Sequence, residues 1–199
     1  MSKAFYPKMA LSNINKNRQT YFPYIITCIL TIMMYFMMGS ILHNENVRNM
    51  NHGDMVIVLL NIGMWVTMIF AVVFLFYTNS FLIKRRQKEI GLYNILGMEK
   101  RHIAKMMFYE TLFTAVVSIG IGMLFGKLMF LLLIKLIGSS EIPAFQIPSE
   151  AVVNTLVTMA LVFFAILLYN LARIHLTKPI ELIHGGQIGE KEPKTKILL

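Results

Sequence analysis

Long apolar stretches alternate with short polar connections along this chain. Residues 21–42, 55–83, 106–137 and 151–172 are apolar with few interruptions. Each is long enough for the roughly 20 helical residues that cross a hydrocarbon core of about 30 Å. They predict an all-α polytopic membrane protein with four spans. Residues 1–20 are patterned differently. Tyr6, Met9, Ala10 and Ile14 fall broadly on one side of a helix, with Lys8, Ser12 and Lys16 opposite, and Asn13 interrupts the apolar arc. Two readings fit: an interfacial helix with its basic side towards anionic lipid, or a plain basic flank that fixes orientation. Pro23 is expected in the opening turn of the first span, where its missing N–H costs least.

Composition agrees with the pattern. Of 199 residues, 56% are hydrophobic and 15% charged, too little charge for the polar shell of a soluble domain of this size. The net charge of +9 raises the question of nucleic acid, which the placement of the basic residues answers. Lys3, Lys8, Lys16 and Arg18 precede the first span, and Lys84, Arg85, Arg86, Lys88, Lys100, Arg101 and Lys105 lie between the second and third. Arg173, Lys178, Lys191, Lys194 and Lys196 follow the fourth, whereas the other two connections hold Arg48 alone. By the positive-inside rule both termini and the middle connection are cytoplasmic, and no nucleic-acid partner is needed. About twenty polar residues before the first span argue against a cleavable signal. The single cysteine, Cys28, lies within the first apolar run, so no disulfide within the chain is expected.

The second apolar run is longer than a perpendicular crossing requires, so it tilts or continues into the cytoplasm. Residues 84–96 contain no proline, and Gly97 stands where a left-handed helix cap is expected, with Glu99 opening the next helix. Residues 84–105 therefore read as a protruding helical hairpin. Its tip is unusual: Ile90, Leu92, Tyr93, Ile95 and Leu96 form an apolar patch bracketed by charge. Burial against a protein partner explains such a tip best; folding back onto the chain's own tail, or lying on lipid, is the alternative.

The third run carries Glu110 and Lys127, separated by roughly 26 Å of helix. In one register they bracket the hydrocarbon, Glu110 near the cytoplasmic surface and Lys127 snorkelling outward; in the other Lys127 is buried. Ser118, Gly122 and Gly126 recur every fourth residue and allow close helix approach, within the chain or between two chains.

Catalytic groupings are not apparent. GIGMLFGKL (120–128) does not satisfy a phosphate-loop pattern, since Ile121 stands where the first glycine belongs and Leu128 replaces the hydroxyl. The five histidines show no metal-binding i, i+4 pair. Neither an enzyme nor a cofactor- or metal-binding protein is expected, and any energy would come from a partner.

Residues 81–113, FLIKRRQKEIGLYNILGMEKRHIAKMMFYETLF, resemble the signature of FtsX-like permease domains of ABC transporters. The elements are the basic cluster 84–88, Glu89-Ile90-Gly91, Leu96-Gly97, the basic stretch 100–102 and the membrane-entry Glu110. The segment MALSNINKNRQTYFPYIIT resembles the family's N-terminal elbow helix, and KPIELI (178–183) its segment after the last span. The short external connections and the Lys-Arg-Arg-x-Lys-Glu-Ile-Gly-Leu form are most similar to the N-terminal half of bacitracin-export (BceB-type) permeases.

The resemblance implies a permease domain at 21–177 between the N-terminal segment and a basic tail at 178–199. It implies a cytoplasmic ABC ATPase as partner, seated on Arg85, Arg86, Lys88, Glu89, Ile90, Gly91, Leu92, Leu96 and Gly97. It also implies a bacterial cell-membrane location, a second permease half or a homodimer, a sensor histidine kinase as an associated partner, and a role in antimicrobial-peptide export or resistance. BceB-type permeases have about ten spans and a large extracellular domain, so four spans imply a half-permease or a piece of a longer product. The alternative is a non-transporting regulatory or scaffold protein that binds a sensor kinase or another permease.

Overall fold

The computed structural model describes residues 5–44, 53–137 and 148–176, apart from the side chains at 88, 94, 175 and 176. The tail at 178–199, with its 178–183 segment, lies outside the described residues, as does the side chain of Lys88.

Among the described residues all regular structure is helical. The helices are α1 (Phe5–Lys16), α2 (Arg18–Leu42), α3 (Gly53–Ile95), α4 (Lys100–Ile137) and α5 (Ser149–Leu176). Four segments are long and apolar enough to cross a membrane: Arg18–Leu42, Gly53–Gln87, Lys100–Leu136 and Ser149–Ile174. The protein is an all-α, multi-pass membrane protein. α1 and α2 are separated by Asn17 alone, so the chain turns into the first span almost at once. Pro23 is not in the opening turn. α2 begins five residues earlier, at Arg18, so Pro23 is interior and has no N–H to give the Gln19 carbonyl.

α2 is the centre of the bundle. It packs most extensively on α4, then on α3 and α5. Ile32, Tyr35, Phe36 and Cys28 on α2 are buried, together with Leu75 of α3, Met106 of α4 and Met159 and Ile166 of α5. The α2–α4 contact is close because α4 offers glycines. A Cβ at Gly122 would stand 2.8 Å from that of Ile32, and one at Gly126 would stand 2.8 Å from Cδ1 of Phe36. Ser118, one turn earlier, is fully buried. The small residues spaced four apart on α4 thus meet α2 of the same chain, and Gly120, off that stripe, faces open space.

α3 and α4, consecutive in sequence, touch each other little because α2 lies between them. Much of α3 is outward-facing, with Ile62, Trp65, Ile69, Phe70 and Phe74 exposed, as expected of a lipid-facing surface. Polar side chains join it to α5. The amides of Asn79 and Asn170 exchange two hydrogen bonds, at 2.7 and 3.2 Å, both buried. Between α2 and α5, the Tyr35 hydroxyl donates to Thr158 at 3.3 Å.

Candidate functional site: a protruding hairpin and its buried polar root

α3 runs without a break past the apolar segment. Residues 84–95 add roughly 18 Å of helix before the chain turns. The turn is built by Gly97, whose φ of +89° lies in the left-handed region that side chains disfavour. The amide of Met98 donates back to the Tyr93 carbonyl at 3.0 Å, the long-range bond of a Schellman cap, and Tyr93 and Met98 both pack against the buried cluster. The Glu99 carbonyl then accepts from the amides of His102 and Ile103, which starts α4. A helix–turn–helix hairpin follows from these local interactions.

The root of the hairpin is a buried polar network. Arg86 of α3 and Glu110 of α4 form a two-pronged ion pair, with Nη1 2.6 Å from Oε2 and Nη2 3.1 Å from Oε1. Tyr21 of α2 sits between them, accepting from Arg86 and donating to Glu110 Oε2 at 2.9 Å. Asn13 of α1 donates to Glu110 Oε1 at 3.2 Å. Four helices converge on one carboxylate. Burying two charges is costly, and the surrounding donors are what make it tolerable. One turn outward, Asn17 donates to Glu89 Oε2 at 2.8 Å, tying the hairpin to the α1–α2 junction. α1 is held along α4 as well, with Ala10 buried and the Tyr6 ring stacked 6.0 Å from that of His102.

The residues expected to form the tip divide into two groups. Leu92, Ile95 and Leu96 are exposed, at 53%, 63% and 72% of their surface. Ile90 and Gly91 are turned inward, Ile90 as part of the buried cluster. Arg86 also departs from the expected set of outward charges. It is 3% exposed and its guanidinium is spent on Glu110 and Tyr21, so it has little to offer a partner. Glu110, expected near the cytoplasmic membrane surface, is 3% exposed and is the acceptor of the network. Arg85 is exposed yet lies over the Phe81 ring at 4.8 Å, two turns back from the tip. Glu89 is partly exposed, Gly97 marks the turn, and Lys127 is intermediate in burial.

Sequence reasoning missed Asn13, Asn17 and Tyr21 as members of the network. Asn13 left a signal, as the one polar residue in the apolar arc of α1. Among the described residues no three His, Cys, Asp or Glu side chains gather to hold a metal ion.

A model of the FtsX-like permease family, described as FtsX-like permease C-terminal, matches residues 61–178, more than half of the chain. The chain belongs to the FtsX-like permease family. Its relatives include the ABC transporter permease YvcS of Bacillus subtilis, 30% identical over 193 residues covering 94% of this chain and 29% of the relative. The bacitracin export permease protein BceB of Halalkalibacterium halodurans is 26% identical over 190 residues, again covering 94% of this chain and 29% of the relative. BceB of Bacillus subtilis is 23% identical over 167 residues, 82% of this chain and 26% of the relative. The chain thus spans less than a third of the length of these permeases. Both the hairpin arms and the polar root on α3 and α4 lie within the family match.

Proposed function

We propose that this chain is a permease component of a bacterial ABC transporter whose hairpin docks into a separate cytoplasmic ATPase. One observation carries the reading. An apolar tip, Leu92, Ile95 and Leu96, stands exposed at the end of a helix whose root is anchored by a buried ion pair. An exposed apolar cluster on a rigid arm suits an interface in which aliphatic anchors enter a pocket, with the partly exposed Glu89 at its charged rim. The positive-inside rule puts the hairpin and both termini on the cytoplasmic side, where such an ATPase would bind.

The polar root suggests how movement is transmitted. Force on the tip reaches Arg86 through continuous helix, then Glu110 on α4, Tyr21 on α2 and Asn13 on α1. Displacement of the hairpin would therefore be felt by all four helices at one point. The span-facing part of the bundle, α2 with α4 above all, would carry it across the membrane.

The same proposal extends to antimicrobial-peptide export or resistance, a reading supported by the relatives named as bacitracin export permeases. A second permease half, or a second copy of this chain, would complete the translocation unit, and a sensor kinase is a further candidate partner. Affinity purification of the tagged chain from native membranes tests the reading. An ABC ATPase should co-purify and be lost when Leu92 and Leu96 are both changed to alanine. Recovery of a sensor kinase without any ATPase would replace transport with regulation.

A further inference from the structure

An open groove of about 170 Å³ lies between α2 and α3 on the hairpin side of the bundle. Gln19, Thr20 and Pro23 line one wall, and Thr78, Phe81 and Arg85 line the other. The two walls differ in chemistry along their length. Towards the hairpin they carry a cation and polar donors. Further along the same helix faces stand Leu30 and Met34, three and seven residues on from Thr27 of α2, and Phe74, four residues before Thr78 of α3, all exposed.

Three side chains at the polar end have donors to spare. Among the described residues, the side chains of Gln19, Thr20 and Arg85 enter no hydrogen bond or salt bridge, although Arg85 is braced over Phe81. The Thr78 hydroxyl is different, since it already donates to the Phe74 carbonyl at 2.7 Å. On the same rim Pro23 supplies no N–H to the Gln19 carbonyl, which keeps acceptor capacity for an incoming hydroxyl. The groove thus combines a cation, an amide and a hydroxyl with one spare acceptor, directly beside apolar surface.

We propose that this groove binds the headgroup of an anionic glycerophospholipid from the leaflet on the hairpin side. The phosphate sits on the Arg85 guanidinium and the Thr20 hydroxyl, a headgroup hydroxyl donates to the Gln19 carbonyl, and an acyl chain runs along Leu30, Met34 and Phe74. Charge complementarity and the polar-to-apolar sequence along the groove select a lipid rather than a soluble metabolite. A lipid held there bridges α2 and the root of the hairpin. The orientation proposed above only names this leaflet as cytoplasmic. The lipid site stands or falls separately from ATPase docking.

The test uses the full chain in phosphatidylcholine nanodiscs containing a trace of phosphatidylglycerol with a photoreactive acyl chain. Cross-links mapped by mass spectrometry should fall on α2 and α3 around the groove and drop about fivefold in Arg85→Ala. Lys84→Ala, which removes an equal charge one residue away and outside the groove, should leave them near the wild-type level. Equal loss in the two variants would reduce the effect to general surface charge and overturn the site. Equal labelling by a photoreactive phosphatidylcholine would also overturn it. Loss of labelling on adding millimolar inorganic phosphate would assign the groove to a soluble anion and overturn the lipid reading.

Discussion

Arg86 and Glu110 stand 24 residues apart on two helices that otherwise scarcely touch, yet they meet in a buried two-pronged ion pair. The pair joins the arms of the hairpin at their root, with Tyr21 of the central helix between them. Removing one partner should be far worse than removing both. Glu110→Leu leaves an uncompensated buried guanidinium and should cost about 3–5 kcal/mol, whereas Arg86→Met with Glu110→Leu should recover much of the loss. Chemical unfolding of the purified protein in detergent measures both. Equal destabilisation by the single and double variants would show that the pair is not the coupled unit described here.

The contact between α2 and α4 depends on the absence of side chains. Gly122→Ala places a methyl 2.8 Å from Ile32 Cβ and 3.0 Å from the Ile29 carbonyl. It should destabilise by about 1–3 kcal/mol through overpacking. Gly120→Ala meets nothing within 4 Å and should be neutral or slightly stabilising. Thermal unfolding of the two variants side by side checks the contrast.

Gly97 sets the turn of the hairpin. At its φ of +89° an alanine is strained, so Gly97→Ala should cost about 1–2 kcal/mol, and Gly97→Asn should cost less. The loss is local to the tip. Hydrogen exchange should speed up around residues 96–99 in the alanine variant while the amides of α2 keep their protection.

The paired amides of Asn79 and Asn170 hold α3 to α5. Asn79→Leu leaves the buried Asn170 amide without its partner and should cost about 1–3 kcal/mol. Asn79→Leu with Asn170→Leu should be nearer wild type. A double-mutant cycle on unfolding free energies gives the coupling directly, and an additive result would contradict the assigned pairing.

The four spans and the hairpin were legible in the sequence because both rest on local rules: run length for the spans, and an unbroken helix ending at a glycine for the hairpin. The spacing of Ser118, Gly122 and Gly126 revealed a close helix contact but not its partner, which α2 supplies within the chain. The polar root was not legible. Arg86 belongs to a run of basic residues whose other members carry the same charge, and only its helical phase turns it towards Glu110 rather than outward. Asn79 and Asn170 each lie within a long apolar run, which still reads as a span, and neither marks its partner. Their pairing across 91 positions is a product of tertiary packing. Pro23 lies deeper in its helix than the apolar pattern implies, because α2 includes the polar residues 18–20 that precede the apolar run.

The exposed tip of the hairpin, Leu92, Ile95 and Leu96, is the surface proposed to engage an ATPase. The most direct measurement is the ATPase activity of the co-purified partner, reconstituted with the wild-type chain and with Leu92→Ala plus Leu96→Ala. The control is Ile62→Ala plus Trp65→Ala, which removes comparable exposed apolar surface from the membrane-facing side of α3. Stimulation should fall about tenfold or more for the tip variant and persist for the control, as expected when aliphatic anchors leave an interface. Full stimulation by the tip variant would rule out docking through Leu92 and Leu96.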